Sequence, residues 1–291
     1  MQENLSNITT VKELLRRHGF TFSKALGQNF IINPGVCPRM AELSGARGIG
    51  VIEVGPGIGV LTAELAKIAG RVVCIELDTR LLPVLKETLA GFDNVTVINN
   101  DVLKVDLHAL IAREFAGMEV VICANLPYYI TSPIVMSLLE ARLPVKAITV
   151  MVQKEAAARL CAKPATRDVG AVTIAVRYYS EPKVLFQVSR GSFMPAPEVD
   201  STVIRLDVHA APVLPVKDEC LFFTVVKAAF GMRRKTISNA LAGVGGLAKE
   251  QVLSAITAAG VPPTHRAEQL TMEQFAALAD SIKAFTESNN P

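Results

Sequence analysis

The stretch Gly50-Val51-Ile52-Glu53-Val54-Gly55-Pro56-Gly57-Ile58-Gly59 decides the fold, together with the helically spaced run Val60 to Ala69 behind it. A short apolar run closed by glycines reads as a buried strand and a tight turn. Glycines let the backbone approach a ligand closely, and such a strand-to-helix turn in an open α/β sheet is where nucleotides bind. Downstream the rhythm repeats. Arg71 to Leu77, Val95 to Ile98, Val120 to Ala124 and Ala147 to Val152 read as strands, and Arg80 to Leu89, Ser132 to Glu140 and Lys154 to Cys161 as helices. Strands alternating with helices at this spacing predict an α/β, doubly wound (Rossmann-like) parallel sheet. Upstream, residues 1–48 read as a polar, partly helical lead-in with a turn in Lys24-Ala25-Leu26-Gly27-Gln28-Asn29-Phe30.

After Ala171 the pattern changes. Ala171 to Tyr179, Lys183 to Val188 and Thr202 to Val208 are strand-like with no helix between them, and they predict an antiparallel edge on the same sheet. Ala210-Ala211-Pro212-Val213-Leu214-Pro215 reads as a linker. Beyond it the spacing is helical, over Glu219 to Phe230, Thr236 to Leu241, Lys249 to Ala259 and Glu273 to Ile282. The expected organisation is a domain over 1–211 and a small all-α domain over 212–291.

The 291 residues are 50% hydrophobic and 20% charged, which excludes a disordered chain and supports a sizeable core. The net charge of +3 is mildly basic, so the distribution of charge says more about partners than its sum. Cys37, Cys74, Cys123, Cys161 and Cys220 form no Cys-x-x-Cys pair, which argues against structural zinc and a disulfide framework. His18, His108, His209 and His265 are scattered, so no metal is expected. No basic stretch leading into an apolar run opens the chain, and no apolar run reaches membrane-spanning length. The expectation is a cytoplasmic protein, and, since nothing demands an oligomer, a monomer.

The glycine turn departs from the dinucleotide fingerprint: Val60 stands where the third glycine belongs, and Gly59 precedes it. There is no Gly-Lys-Ser/Thr, which excludes a P-loop, and a ligand without a pyrophosphate fits better than a nicotinamide dinucleotide. Glu76 follows Gly55 by 21 residues, at the end of the second strand. A carboxylate there can accept from both ribose hydroxyls. Asp101, in Asn99-Asn100-Asp101-Val102, is placed to accept from an adenine amine, with Val102 against the ring; an Asx turn at a strand end is the plainer reading of the same residue.

Asn125-Leu126-Pro127-Tyr128 follows the fourth strand, at the same carboxyl edge as the glycine turn. An exocyclic ring amine is a poor nucleophile because its lone pair is delocalised. Two acceptors on its hydrogens, the Asn125 side-chain oxygen and the Leu126 carbonyl, can pull the nitrogen toward sp³ geometry and aim the lone pair at a methyl donor. Pro127 stiffens the turn and Tyr128 offers a ring for the base to stack on. Orientation and proximity carry most of such a reaction. Phe193, in Ser192-Phe193-Met194-Pro195-Ala196-Pro197, is expected to stack on the other face of a flipped base. Two basic segments suit phosphate contacts. One holds Lys227, Arg233, Arg234 and Lys235 without an acidic residue; the other runs from Arg142 to Arg167 through Lys146, Lys154, Arg159 and Lys163 against only Glu155.

In combination these motifs resemble the rRNA adenine N6-dimethyltransferase family, in the KsgA/RsmA branch that modifies small-subunit rRNA. The likeness runs from about Lys24 to Ala279. It rests on LGQNF at 26–30, EVGPGIGVLT at 53–62, CIELD at 74–78, NLPYYI at 125–130, QKEAAARL at 153–160, FMPAPEVDS at 193–201, FGMRRKTISNAL at 230–241 and RAEQLTMEQFA at 266–276. The resemblance implies S-adenosyl-L-methionine as cofactor, with Asn29, Ile31, Gly55, Glu76, Asp101 and Asn125 contacting it or framing its pocket, and Gly57 and Val102 beside them. It implies dimethylation of two adjacent adenosines in the 3′-terminal hairpin of 16S rRNA during small-subunit assembly; of the basic segments, Arg159, Lys227, Arg233, Arg234 and Lys235 are the residues expected toward RNA. Val169 stands where the family usually has an aromatic and Met194 where a proline is frequent, both expected on RNA-facing loops. Two other readings are a large-subunit (23S) rRNA adenine methyltransferase of the antibiotic-resistance type, against which Arg233-Arg234-Lys235-Thr236 argues, and a ribosome-assembly factor with little catalysis, which would not need Glu76, Asp101 and Asn125 together.

Overall fold

The computed structural model describes residues 5–23, 27–232 and 234–289. In chain order the elements are α1 (Ile8–Arg17), β1 (Phe30–Ile31), α2 (Val36–Leu43), β2 (Gly50–Val54), α3 (Val60–Ile68), β3 (Arg71–Glu76), α4 (Leu82–Thr88), β4 (Val95–Asn99), α5 (Leu107–Glu114), β5 (Val120–Asn125), α6 (Thr131–Glu140), β6 (Ala147–Gln153) and α7 (Lys154–Leu160). There follow α8 (Ala171–Tyr179), β7 (Ser180–Val188), β8 (Phe193–Met194), β9 (Ser201–Val208), α9 (Glu219–Gly231), α10 (Ile237–Ala240), α11 (Lys249–Ala258) and α12 (Met272–Asn289). The chain forms two compact units, Met1–Ala157 with Glu181–Val208, and Ala158–Ser180 with His209–Pro291.

The first unit is built on a seven-stranded sheet of order β4-β3-β2-β5-β6-β9-β7. The pairs β2–β3, β2–β5, β3–β4 and β5–β6 are parallel, and β9 pairs antiparallel with β6. β2 and β5 are buried along nearly their whole length, as strands covered on both faces by helices must be. A layer that includes Val11, Leu14, Cys37, Met40, Leu61 and Leu65 from α1, α2 and α3 shares one core with Val51, Val72 and Val121 of the sheet. Strand order reverses between β2 and β5, with β3 on one side and β6 on the other, so a ligand crevice is expected at their carboxyl ends. The register prepares it. Val54 lies opposite both Ile75 and Ala124, so the next residue along each strand brings Gly55, Glu76 and Asn125 to one level.

One expectation for the edge needs correction. Ala171–Tyr179, expected as a strand, is helix α8. Its β-branched and aromatic residues read as strand because Thr173, Ile174, Ala175, Val176, Tyr178 and Tyr179 are all buried, which leaves no polar face to betray a helical period. The Thr173 hydroxyl accepts from the Gly170 N–H at 3.0 Å and donates to the Arg159 carbonyl at 2.6 Å, satisfying the helix start. Consequently 158–180 groups with the C-terminal helices, where the sequence reading placed it before a boundary at 212. Val169, expected on an RNA-facing loop, is 1% exposed.

In the second unit, α8 and α9 meet through aromatics. Tyr178 stacks on Phe222 and Tyr179 on Phe223, with ring centroids 5.2 and 5.6 Å apart, and both tyrosine hydroxyls donate to Glu219. Asp218 caps α9 by accepting the Leu221 N–H at 2.9 Å. Phe230 of α9 meets Phe275 of α12 at 5.7 Å, and Ser281 of α12 donates to the Ala255 carbonyl of α11.

Candidate active site

At the switch point the carboxyl ends of β2, β3 and β5 open into a cleft with about 1110 Å³ of empty space, open solvent at its mouth included. Asn29, Ile31, Gly55, Gly57, Glu76, Asp101, Val102, Asn125, Leu126, Pro127 and Tyr128, scattered over a hundred residues of sequence, all line it. Gly55 and Gly57 have φ of +68° and +60°, which L side chains rarely adopt. A Cβ on Gly57 would also stand 3.2 Å from the Phe30 ring. Glycine therefore lets the turn lie flat along the cleft.

Glu76 is 6% exposed and is fixed by backbone: its Oε2 accepts from Gly57 N–H at 3.2 Å and its Oε1 from Asp78 N–H at 2.8 Å. Burial pushes its carboxyl above the ordinary carboxylate range, partly offset by the Asp78 and Gly57 N–H groups. The glycine turn and the carboxylate thus hold each other. Asp101 combines both readings given above: its Oδ1 accepts from Leu103 N–H at 3.1 Å, an Asx turn, and the residue lines the cleft beside Val102.

Asn125 ends β5. Its Nδ2 donates to the Asn29 carbonyl at 3.4 Å, which assigns the amide orientation and leaves Oδ1 for a ligand. The Leu126 N–H is taken by the Met151 carbonyl at 3.2 Å, and the Pro127 carbonyl by Ile130 N–H and Thr131 Oγ1, both at 3.2 Å. Among the described residues, neither Asn125 Oδ1 nor the Leu126 carbonyl accepts a hydrogen bond from the chain. Those are the two acceptors that amine chemistry requires. The Tyr128 hydroxyl lies 2.7 Å from Ser201 Oγ, and burial pushes its pKa up, so the ring is pinned at the cleft with its phenol protonated.

Phe193 is a correction. β8 pairs antiparallel with β1, setting Phe193 opposite Ile31, and its ring is 3% exposed within the core rather than among the cleft-lining residues.

The sequence reading passed over Gln28, Phe30, Glu53, Asp78 and Tyr129, all of which line the cleft. Glu53 lies in the middle of β2 and reads as an interruption of an apolar run. It is 1% exposed, paired in register with Cys74 and Cys123, and its Oε2 lies 3.5 Å from the Cys74 thiol. Burial pushes its pKa up to about 7, against weaker lowering by Thr62 and Cys74, and the Glu76 charge raises it further. A carboxyl whose folded pKa is raised contributes stability below its unfolded pKa that is lost as pH rises through the folded one. The expected result is that unfolding free energy falls by about 2 kcal/mol between about pH 5 and about pH 8 on account of this group. Urea titrations of Glu53→Gln should lack that component; an identical pH slope in the variant would refute it.

Lys227, Arg234, Lys235 and Arg159 are exposed and form no ion pair among the described residues; Arg233 lies outside the described residues, as do Lys24 and Leu26. Lys146 of the second basic segment pairs with Glu119 at 2.5 Å. Among the described residues no three His, Cys, Asp or Glu side chains gather as a metal site would, and no helix is long and apolar enough to cross a membrane.

An open sheet with this glycine turn, a backbone-fixed carboxylate one strand over and an Asn-Leu-Pro-Tyr turn on the other side defines a Rossmann-like methyltransferase. The chain belongs to the ribosomal RNA adenine dimethylase family, whose family model matches residues 19–284. It is 48% identical to the ribosomal RNA small subunit methyltransferase A of Geobacillus thermodenitrificans, over 97% of this chain and 98% of that protein. It is 47% identical to the protein of the same name from Clostridioides difficile, over 96% and 97%. Among solved structures it resembles the 23S rRNA methyltransferase ErmE, with a TM-score of 0.66, 28% identity and coverage of 87% of this chain and 99% of that one. A dimethyladenosine transferase from Plasmodium falciparum shares the fold at a TM-score of 0.69 and 24% identity, over 86% and 95%.

Proposed function

We propose that this enzyme transfers methyl groups from S-adenosyl-L-methionine to N6 of two adjacent adenosines in the 3′-terminal hairpin of 16S rRNA, during small-subunit assembly. The observation that carries the chemistry is the Asn125 amide, anchored through Nδ2 with Oδ1 left over, in a cleft that Leu126 also lines. The cleft suits the cofactor: Glu76 is an oriented acceptor for ribose hydroxyls, Asp101 and Val102 lie at the adenine position, and the Gly55–Gly57 backbone permits close approach. When bound, the cofactor supplies an electrophilic methyl on a sulfonium. Asn125 Oδ1 and the Leu126 carbonyl accept from the two hydrogens of the target amine and turn its lone pair outward. Tyr128, held by Ser201, stacks on the base, a contact worth about 1–3 kcal/mol. No strong base is needed, because the methylated ammonium loses its proton readily. The relatives at 46–48% identity are named for the small subunit, which favours that acceptor over the large-subunit alternative associated with the more distant ErmE fold. Incubating the enzyme with labelled S-adenosylmethionine and either subunit's rRNA tests the choice: label is expected in small-subunit rRNA, and label confined to the large subunit would overturn it.

The helical C-terminal part (212–291) is proposed to select the rRNA context through Lys227, Arg234 and Lys235, with Arg159 and Arg233 as further phosphate contacts. Because Tyr178 and Tyr179 bond to Glu219, truncation after the linker would strip packing from α8, and charge reversal is the cleaner test. Lys227→Glu/Arg234→Glu/Lys235→Glu is expected to raise KM for small-subunit particles by roughly tenfold or more and to flatten the salt dependence of binding. Unchanged KM and salt slope would remove these residues from the RNA surface.

A further inference from the structure

We propose that Asp78, together with Arg80 and Gln28, is the positioning set of the cofactor cleft, holding both the ribose acceptor and the opposite wall in place. The proposal rests on the reading of the cleft as an S-adenosylmethionine site. Asp78 is 7% exposed, and each of its carboxylate oxygens is used twice. Oδ1 accepts from Arg80 N–H at 3.1 Å and Arg80 Nε at 2.9 Å; Oδ2 accepts from Arg80 Nη2 at 2.7 Å and Gln28 Nε2 at 2.8 Å. The Asp78 backbone N–H is the donor that fixes Glu76 Oε1. One residue thus reaches the ribose carboxylate through its main chain and the facing wall through its side chain.

The facing wall needs this anchor. Gly27, Gln28, Asn29, Phe30 and Ile31 line the cleft, yet β1 is two residues long and, among the described residues, its strand pairing is with the two residues of β8, extended by Ile32 N–H donating to the Ser192 carbonyl at 2.8 Å. So short a ribbon fixes little by itself. Gln28 hands the tether on, its Oε1 accepting from Ser23 N–H at 3.0 Å. Arg80 extends it, with Nη1 donating to the Thr21 carbonyl at 3.3 Å and its guanidinium 5.0 Å from the Phe20 ring centroid. Phe20, Phe22 and Phe30 pack on one another at 5.3 to 6.0 Å, and Phe30 borders Gly57 of the glycine turn. The Arg–carboxylate pair is bidentate, with Asp78 buried and the Arg80 side chain 46% exposed, and its two-point geometry makes it directional. The Arg80 guanidinium beside Asp78 holds its carboxyl below the usual range, so the pair stays charged through neutral pH.

The test uses the full chain. Asp78→Asn keeps side-chain size and the backbone donor to Glu76 but removes the charge and turns one acceptor into a donor facing other donors. S-adenosylhomocysteine is expected to bind this variant about tenfold more weakly by calorimetry, with KM for S-adenosylmethionine raised similarly and kcat within about threefold. Hydrogen exchange of Ser23 and of 27–31 is expected to accelerate, with the β5 and β6 amides unchanged. Arg80→Lys, which keeps the charge but not the two-point geometry, should bind more weakly than wild type and more tightly than Asp78→Asn, and Gln28→Met, which spares the ion pair, should weaken binding by roughly threefold. Wild-type affinity in both Asp78→Asn and Gln28→Met would overturn the proposal, as would exchange that rises uniformly across the sheet, the mark of a merely structural role. If the wild-type chain itself failed to bind S-adenosylhomocysteine, the cofactor reading would fall first; binding by wild type with no difference in the variants isolates the failure to Asp78.

Discussion

Asn125→Ala is expected to lower kcat for methyl transfer by at least about a hundredfold, the scale seen when one preorganised polar group is removed from a reacting centre. The reasoning is geometric. Asn125 ends β5 level with Gly55, and its Nδ2 donates to the Asn29 carbonyl, which leaves Oδ1 as an acceptor in the cleft that Leu126 also lines. Alanine leaves the target amine one acceptor, and its lone pair returns to the ring. Asn125→Asp sharpens the test. It keeps an oxygen in the cleft but replaces the donor to Asn29 with a second oxygen, setting carboxylate against carbonyl. The aspartate variant should also be impaired, because orientation matters as much as the presence of an acceptor. Single-turnover rates with prebound cofactor measure both. Full methyl transfer by Asn125→Ala would refute the chemistry proposed for this turn.

The second large effect is expected at Glu76. Glu76→Ala should weaken S-adenosylhomocysteine binding by roughly a hundredfold or more, from two lost charge-assisted bonds of about 1.5–3 kcal/mol each. It also orphans the Gly57 and Asp78 N–H groups that the carboxylate satisfies. The glycine turn and β3 are joined through this side chain, so cofactor loss and loosening of the turn arrive together. Glu76→Gln should fall between the two, since an amide presents one acceptor and one donor to two fixed donors. Calorimetric titration decides it, and an unchanged Kd in Glu76→Ala would remove Glu76 from the cofactor site.

Much of this site was legible because parallel α/β sheets concentrate ligand contacts at strand ends, and strand ends can be read. Gly55, Glu76 and Asn125 each follow an apolar run directly and Asp101 follows one after two intervening residues, and the register brings the first three to one level. What escaped depends on distance in sequence. Asp78 and Gln28 meet across 50 positions, and although each lies in a motif, nothing in either motif alone pairs it with the other. Phe193 is expected from sequence to stack on a base, yet it lies where β8 pairs with β1 and is 3% exposed within the core. Helix α8 escaped because burial on nearly every side erased its period, so β-branched content spoke louder than packing. Glu53 was visible in the motif, but only its burial between Cys74 and Cys123 distinguishes a perturbed carboxyl from an ordinary one.

The most direct test is mass spectrometry of unmodified rRNA from both subunits after incubation with the purified protein and S-adenosylmethionine. Dimethyladenosine is expected at two adjacent adenosines of the small-subunit 3′-terminal hairpin, and at neither position with Asn125→Ala. Modification confined to large-subunit rRNA, or none in either rRNA, would contradict the account.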